Sequence, residues 1–273
     1  SEIQLSEANT FGGSIWCSSL NISDLTGIEH FTALSVLGCY SNHLTSLDVS
    51  QNTALTSLYC FNNQLTILDV SGAANLRDLI CDQNQLTSLD VSSNTNLEQL
   101  MCNYNQITSI DVSYNNNLYW FGCANNQITS INVSNNTNLL SLNCNNNLIT
   151  CLDLSQNSLD CLFVANNLLE QLNIKNMNNS NLWIFEATNN NISCIESNNV
   201  TSTISNGVDN GVIFNTNCNY INPCWLTTEI QNLYTNKDLL QKLDVLGRET
   251  KKTNELVFYI YDDGTVEKRI VIE

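Results

Sequence analysis

The chain repeats a pattern of 21 residues from Leu34 to Asn157, and this repeat constrains its fold more than any other feature. Each unit reads L-x-x-L-x-C-x-x-N-x-L-T-x-L-D-V-S-x-N-x-x. The units open at Leu34, Leu55, Leu76, Leu97, Leu118 and Leu139, and two degenerate units follow at Leu159 and Leu182. A unit this short cannot bury its own apolar face, so neighbouring units must stack. The repeat therefore predicts a solenoid with one continuous core.

Alternating residues within each unit predict that the solenoid is rich in β-structure. In L-x-C the first and third residues point inward, which predicts a short strand, and these strands would run parallel from coil to coil. The L-D-V triplet alternates in the same way and predicts a second strand on the other side of each coil. An asparagine follows the first strand, where it can bond turn backbone that has no ladder partner. These asparagines are Asn42, Asn63, Asn84, Asn105, Asn126, Asn147, Asn167 and Asn190.

Six of the twelve cysteines replace the inward apolar residue of the first strand. They are Cys39, Cys60, Cys81, Cys102, Cys123 and Cys144. This spacing predicts a buried column of free thiols that serve as small apolar side chains. No C-x-x-C pair or histidine cluster favours a metal site. Cys17, Cys151, Cys161 and Cys224 have no assigned role.

Two polar columns each allow a structural and a functional interpretation. The aspartates of L-D-V, replaced by Asn132 and Asn173 in two coils, could cap the following turn or bind calcium. The asparagine replacements lose charge but keep hydrogen bonding, which favours capping and a protein without a cofactor. The threonines of N-x-L-T are typical of a turn leading into a strand, with ice binding as the alternative. The aspartates are Asp48, Asp69, Asp90, Asp111 and Asp153, and the threonines are Thr45, Thr66, Thr87, Thr108, Thr129 and Thr150.

A period near 21 with leucine and asparagine at fixed offsets is the signature of leucine-rich repeats. Residues 20–195 resemble the nested 21-residue repeats of secreted bacterial surface proteins. The segment ISDLTGIEHFTAL resembles the N-terminal segment of that family, and the stretch from Cys194 to Cys218 resembles its capping segment. Because a solenoid end exposes its core, we expect a Cys194–Cys218 disulfide to close this cap.

The outward positions of the first strand carry most of the variation among coils. In a leucine-rich-repeat fold they would line the concave sheet. Several hold large apolar residues, which mark interaction surfaces, so we expect a ligand-binding face there. Protein binding or adhesion is favoured, a carbohydrate ligand is the alternative, and mutual shielding of the rings is the structural interpretation. The expected binding residues are Tyr40, Tyr59, Phe61, Ile80, Met101, Trp120 and Phe163.

The sequence favours a binding module over an enzyme. No nucleophile elbow, metalloprotease, phosphate-loop or dinucleotide motif is present, and the two histidines, His30 and His43, are expected at the surface. We therefore name no catalytic residue and no metal ligand. The net charge of −17 excludes nucleic acid and anionic lipid surfaces as partners. No apolar run is long enough to span a membrane.

The basic residues are concentrated at the C-terminal end, since residues 1–224 contain only Arg77 and Lys175. The segment KLDVLGRE…FYIYDDGTVEKRIVIE closely resembles the C-terminal sorting signal of type IX secretion cargo. The resemblance implies export by a signal peptide, passage through the periplasm and the type IX translocon, and recognition by a carrier at the outer membrane of a bacterium. An added β-hairpin that closes the solenoid is the alternative. The expected signal residues are Leu246, Gly247, Arg248, Tyr261, Asp262, Asp263, Gly264, Val266, Lys268 and Ile270.

These features together predict five segments of a secreted or cell-surface protein. Residues 1–33 form an N-terminal cap, and residues 34–195 form a solenoid of about eight repeats. Residues 196–224 form the C-terminal cap, and residues 225–236 a linker or short helix. Residues 237–273 form a small antiparallel β sorting domain. Because the numbering opens on Ser1, we interpret the chain as one whose signal peptide has been removed.

Overall fold

A computed structural model describes residues 5–175, 182–198, 204, 206–216, 218, 239–244, 256–261 and 266–270. The chain divides into two compact units, Ser1–Ile221 and Asn222–Glu273. This division falls slightly before the boundary expected after Cys224. The predicted linker, residues 225–236, lies outside the described residues.

The first unit opens with a short helix, α1 (Leu5–Thr10), and continues as three-residue strands. A 3-10 turn, Ile28–His30, separates the first two strands. The strands are β1 (Ser14–Trp16), β2 (Val36–Gly38), β3 (Ser57–Tyr59), β4 (Asp78–Ile80), β5 (Gln99–Met101), β6 (Trp120–Gly122), β7 (Ser141–Asn143), β8 (Cys151–Asp153), β9 (Cys161–Phe163), β10 (Gln171–Asn173), β11 (Ile184–Glu186), β12 (Cys194–Glu196) and β13 (Ile213–Asn215).

Nine of these strands form one parallel sheet in the order β1-β2-β3-β4-β5-β6-β7-β9-β11. The register follows the repeat, since Leu37 pairs with Leu58, which pairs with Leu79. The predicted strand of L-x-C is therefore confirmed for each coil. The sheet begins one coil earlier than expected, because β1 lies within residues 1–33 and pairs with β2.

The second strand expected in every coil occurs only towards the C-terminal end. There, β8, β10, β12 and β13 form a four-stranded parallel sheet in the order β13-β12-β10-β8. In earlier coils the L-D-V segment forms only an isolated bridge between Asp48 and Asp69. The prediction was thus wrong for these coils. Alternating burial is the only requirement that the pattern expresses, and a coil can meet it without a hydrogen-bonded ladder.

The core consists of columns of identical or similar apolar side chains, one from each coil. Leu37, Leu58, Leu79 and Leu100 are completely buried, and burial of one such side chain contributes about 1.5–3 kcal/mol. Leucine is the commonest residue of this core, so the repeated leucines contribute a large part of the apolar surface that holds adjacent coils together.

The six cysteines of the repeat are fully buried free thiols that occupy the same core position in six successive coils. Burial raises the pKa of the Cys39 and Cys144 thiols to about 12, and it also raises the pKa of the four thiols between them well above the ordinary value. Thiols kept protonated in this way are poor nucleophiles and act as packing residues. Half-buried Cys17 adds a seventh member at the N-terminal end, because it follows β1 as Cys39 follows β2.

The asparagines that follow the main strands tie neighbouring coils together, as expected. The Asn63 side chain accepts a hydrogen bond from the Leu44 backbone N–H at 3.0 Å. Its Nδ2 donates to the carbonyl oxygens of Cys39 and Cys60, each at 3.1 Å. One amide thus satisfies backbone groups of two successive coils, and an apolar residue there would leave these groups without a partner.

A second column of buried asparagines lies at the N of the S-x-N motif, and the sequence analysis assigned it no role. Asn115 donates through Nδ2 to the carbonyl oxygens of Val91 and Asn94, at 3.0 and 2.8 Å. Asn136 repeats the arrangement with Val112 and Asn115. These asparagines tie the coils together a few residues before each main strand.

The aspartate column caps turns, which is the interpretation that the asparagine replacements favoured. Asp48, Asp69 and Asp90 each accept the backbone N–H of the serine two residues later at 2.9 Å. Asn132 makes the same contact with Ser134 at 3.0 Å. Within the part of the chain that the structure describes, no group of three or more histidine, cysteine or acidic side chains is placed to hold a metal ion.

A disulfide joins Cys194 to Cys218 at the C-terminal end of the first unit, which is the pair expected to close the cap. Cys17 and Cys161 are free, and Cys151 is disulfide-bonded. Cys224 lies outside the described residues.

The second unit contains three antiparallel strands, β14 (Leu239–Asp244), β15 (Leu256–Tyr261) and β16 (Val266–Ile270), in that order. Ile260 pairs with Val266, which is the register expected for strands on either side of the Asp262-Asp263-Gly264 turn. The turn itself and the expected signal residues Leu246, Gly247 and Arg248 lie outside the described residues.

Candidate binding surface

The outward face of the nine-stranded sheet is built from three columns of side chains. The first and third residues of each strand form two columns, because the middle residue points into the core. A third column lies two residues after each strand, where Tyr40, Phe61, Asp82 and Asn103 follow one another. All seven residues expected to bind a ligand lie in these columns, and each is half-buried or exposed.

Trp16 and Tyr59 form a stacked pair across an intervening glycine. Their rings are 5.6 Å apart and inclined by 18°, although β2 lies between their two strands. A Cβ atom on Gly38 would lie 2.1 Å from the indole, so only glycine leaves room for Trp16 to reach Tyr59. Trp16 is not among the binding residues predicted from the sequence. The signal was present, because S-I-W-C at 14–17 aligns with S-L-Y-C at 57–60.

Tyr40 and Phe61 form a second stacked pair in the next column, with ring centroids 4.3 Å apart and planes inclined by 6°. The four rings belong to three neighbouring strands, β1, β2 and β3, or to the residues just after them. Their aromatic surface is therefore continuous. Part of each ring is covered by its partner, as the shielding interpretation proposed. The remaining faces stay accessible, since all four side chains are half-buried or exposed.

Ile80 and Met101 extend the apolar surface towards the middle of the sheet. They pair directly, and Ile80 also pairs with Tyr59. The Met101 sulfur lies over Gly122, where a Cβ atom would come within 2.6 Å of it. Beyond Gly122 the same column holds Asn143, and then Phe163 after it. We call Trp16, Tyr40, Tyr59, Phe61, Ile80 and Met101 the aromatic stripe.

A second apolar surface lies just before the main strands, and the sequence analysis did not identify it. Tyr119, Leu140, Asp160 and Trp183 occupy the residue that precedes β6, β7, β9 and β11, respectively. We call these four residues the edge cluster. Trp120, next to Tyr119, contacts its ring edge-to-face at 5.5 Å. The two surfaces therefore meet near Trp120, which is 45% exposed.

A chain of hydrogen bonds runs beside the aromatic stripe. Asp82 accepts the backbone N–H and the side-chain amide of Asn103 at 2.6 and 2.8 Å. Asn103 in turn accepts the Ala124 N–H at 2.7 Å. Burial raises the pKa of the Asp82 carboxyl, although its bonds to Asn103 act in the opposite direction. These contacts hold the polar border of the stripe in place.

A cleft of about 500 Å³ lies outside the main sheet face, between the turns of the first coils. It is lined by Asp24, Asp48 and Asp69, among others. Each of these carboxylates caps its own turn, through Thr26, Ser50 and Ser71, respectively. Those hydrogen bonds lower the pKa of all three carboxyls, so none is prepared to donate a proton near neutral pH.

No helix among the described residues combines the length and apolar character that a membrane crossing requires. His30 and His43 are exposed, as expected, and neither lies on the main sheet face.

Comparison with solved structures finds leucine-rich-repeat proteins. The functional domain of InlJ from Listeria monocytogenes, described as including a cysteine ladder, has 37% sequence identity and a TM-score of 0.66, over 74% of this chain and 48% of that chain. The internalin InlF from the same organism has 22% identity and a TM-score of 0.57, over 80% and 63% of the two chains. The Toll–Spatzle complex of Drosophila gives 24% identity and a TM-score of 0.56, over 67% and 29%.

The chain thus spans about half the length of the InlJ structure. No protein-family model and no curated protein matches it. The column of buried thiols in this chain corresponds to the cysteine ladder named for InlJ. The chain is a β-rich leucine-rich-repeat solenoid whose structural neighbours include bacterial internalins.

Proposed function

We propose that this chain is a secreted or cell-surface binding module, and not an enzyme, which recognises a protein ligand through the aromatic stripe together with Trp120 and Phe163. The observation that carries the proposal is the continuous apolar surface on the outward face of the nine-stranded sheet. Two stacked aromatic pairs, one of them packed over Gly38, form a rigid surface, and rigid aromatic residues are typical of binding hot spots. Ile80 and Met101 favour a protein ligand over a sugar, because aliphatic side chains offer no planar stacking surface.

The test is a double substitution, Phe61→Ala with Trp120→Ala. Both side chains point away from the core, so we expect the melting temperature to stay close to that of the wild type. We expect protein partners captured by the wild-type chain to be lost, at a cost of at least about 2 kcal/mol in binding free energy. The matched control is Tyr114→Ala, since Tyr114 is 58% exposed but lies outside the main sheet.

Unchanged capture by the double variant would place the ligand site elsewhere. Binding to a glycan array that disappears in the same variant would instead establish the carbohydrate alternative.

We also propose that the chain is exported as type IX secretion cargo, with residues 237–273 as the sorting signal. The support is the sequence resemblance of the tail and its three antiparallel strands, a separate unit from the solenoid. The partners implied are the translocon and a carrier at the outer membrane, and the destination is the cell surface or the medium.

A further inference from the structure

The edge cluster is a fixed row of side chains on successive coils. The Leu140 N–H donates to the Tyr119 carbonyl oxygen at 2.9 Å, and the Asp160 N–H donates to Leu140 at 2.7 Å. Trp183 continues the row by donating its N–H to Asp160 at 2.8 Å. Parallel strands lie about 4.8 Å apart, so neighbouring side chains of the row can contact one ligand group together.

Two apolar members of this row, Leu140 and Trp183, are exposed. Trp183 is 79% exposed and Leu140 is 42% exposed, while Ile184, directly after Trp183, is 45% exposed. In the first four coils of the repeat the same position holds Ser35, Thr56, Arg77 and Glu98. Large apolar side chains that replace polar ones on a surface indicate a contact with another molecule. Unlike the aromatic stripe, Trp183 has no ring partner among the described residues.

Asp160 places a negative charge between Leu140 and Trp183. No described side chain donates a hydrogen bond or forms an ion pair with its carboxylate. Arg77, in the same column, is already paired with Glu98 at 3.3 Å. An indole beside an uncompensated carboxylate suits a guanidinium group, which can stack on the ring while it bonds the carboxylate through two N–H groups.

The overall negative charge also favours a partner with cationic side chains. The chain carries a net charge of −17, and its first 224 residues contain two basic residues. The resulting potential attracts cationic segments and repels acidic ones. A neutral sugar would use the Trp183 ring but would gain nothing from that charge or from exposed Leu140 and Ile184.

We propose that the edge cluster is a docking site for a basic segment of a partner polypeptide, with an arginine or lysine seated between Asp160 and Trp183 and an apolar neighbour against Leu140. Asp160 and Trp183 lie two and three strands beyond β6, where the edge cluster approaches the aromatic stripe, so this end of the cluster can bind whether or not the stripe recognises a ligand.

The test begins with a random peptide library displayed on phage and panned against the full chain. We expect the selected peptides to carry arginine or lysine next to an aromatic or aliphatic residue. Affinity of the best synthetic peptide is then measured at low and high salt. Asp160→Asn should weaken binding about five- to tenfold and reduce its salt dependence, because it removes the charge and keeps the shape.

Trp183→Ser should weaken the same peptide by at least about tenfold. Leu140→Ser is the second apolar variant, used if Trp183→Ser lowers the melting temperature. Phe61→Ala, in the aromatic stripe, and Tyr114→Ser, outside the main sheet, should bind as the wild type does. If only Phe61→Ala lost affinity for the peptide, the peptide would bind on the aromatic stripe and the proposal would be overturned.

Three other outcomes would also overturn it. These are selected peptides without basic residues, no selection at all, and equal binding by wild type and Asp160→Asn. Binding of a neutral glycan that Trp183→Ser abolishes would show that the site exists but that its occupant is a sugar.

Discussion

Asp82 shows how a single residue on the main sheet face can act against stability. Its carboxylate is half-buried beside Asn103, and burial raises its pKa above the ordinary value of 3.8. A raised carboxyl pKa means that the fold binds the proton more tightly than the unfolded chain does. Stability therefore falls as the pH rises from about 3.8 through the folded pKa, and the full cost is present at neutral pH.

We predict that Asp82→Asn raises the melting temperature at pH 7. The asparagine oxygen can still accept the two hydrogen bonds from Asn103, while the buried charge is removed. The difference from the wild type should disappear below about pH 3, where Asp82 is neutral in both states. Thermal melts of both proteins across this range measure it.

Asp90→Asn is the matched control, and its effect has the opposite sign. Hydrogen bonds from Ser92 lower the pKa of Asp90, so its carboxylate stabilises the fold above the unfolded pKa and loses this effect as the pH falls through the folded one. Asp90→Asn should therefore lower the melting temperature at pH 7. If both variants shifted in the same direction, net charge and not local environment would be the cause.

At the scale of the coil, the turn after each main strand depends on a left-handed residue. Ser41, Asn62, Gln83 and Tyr104, with their equivalents in later coils, have φ between 53° and 57°. Asparagine tolerates this region better than other side chains with a Cβ, and later coils use it at 125, 146, 166 and 189. The next residue is the buried asparagine that follows each main strand, such as Asn42 or Asn63. The turn therefore directs its side chain towards the backbone groups that it bonds.

We predict that Tyr104→Asn stabilises the protein by about 0.5–1 kcal/mol, which corresponds to a rise of about 1–4 °C in melting temperature. Tyr104 is 57% exposed, so little buried surface is lost. Denaturant unfolding measures the free energy. Tyr114→Asn is the control, because Tyr114 is equally exposed but is not among the residues with positive φ. Equal effects in the two variants would rule out backbone strain as the cause.

The predictions for the coil were confirmed where a single structural requirement, such as burial or a backbone hydrogen bond, selects one residue type. The asparagines after the main strands, the buried cysteines and the L-x-C strands were predicted because only a few side chains fit each environment. The L-D-V strands were predicted for every coil and found only near the C-terminal end. Alternating burial reports which side of the chain faces the core, but ladder pairing also requires adjacent coils to approach within hydrogen-bonding distance.

At the scale of the whole molecule, the chain divides into two compact units, Ser1–Ile221 and Asn222–Glu273. We predict that deletion of Lys237–Glu273 leaves the melting temperature of the solenoid unchanged but abolishes delivery to the cell surface. The reason is that the leucine and asparagine columns that hold the solenoid together all lie before this segment. Thermal melts and cell fractionation of the truncated protein measure the two effects.

A reporter protein fused to residues 225–273 is the complementary experiment, and we expect it to reach the surface. A truncated chain that still arrives there would refute the sorting role. A truncated chain that fails to fold would show that the tail belongs to the solenoid cap.

The sequence alone determined the coil and its stacking. The same positions of every repeat must be apolar or asparagine, so each further repeat strengthens the pattern from which the fold was predicted. The aromatic stripe could be located in the same way, since strand alternation places Tyr59 and Met101 outward. Only the tertiary structure showed that Trp16 crosses Gly38 to stack on Tyr59, and that Leu140, Asp160 and Trp183 form one surface. These contacts join residues of different coils at variable positions, where no repeated requirement exists, so their meaning depends on which neighbours the fold brings beside them.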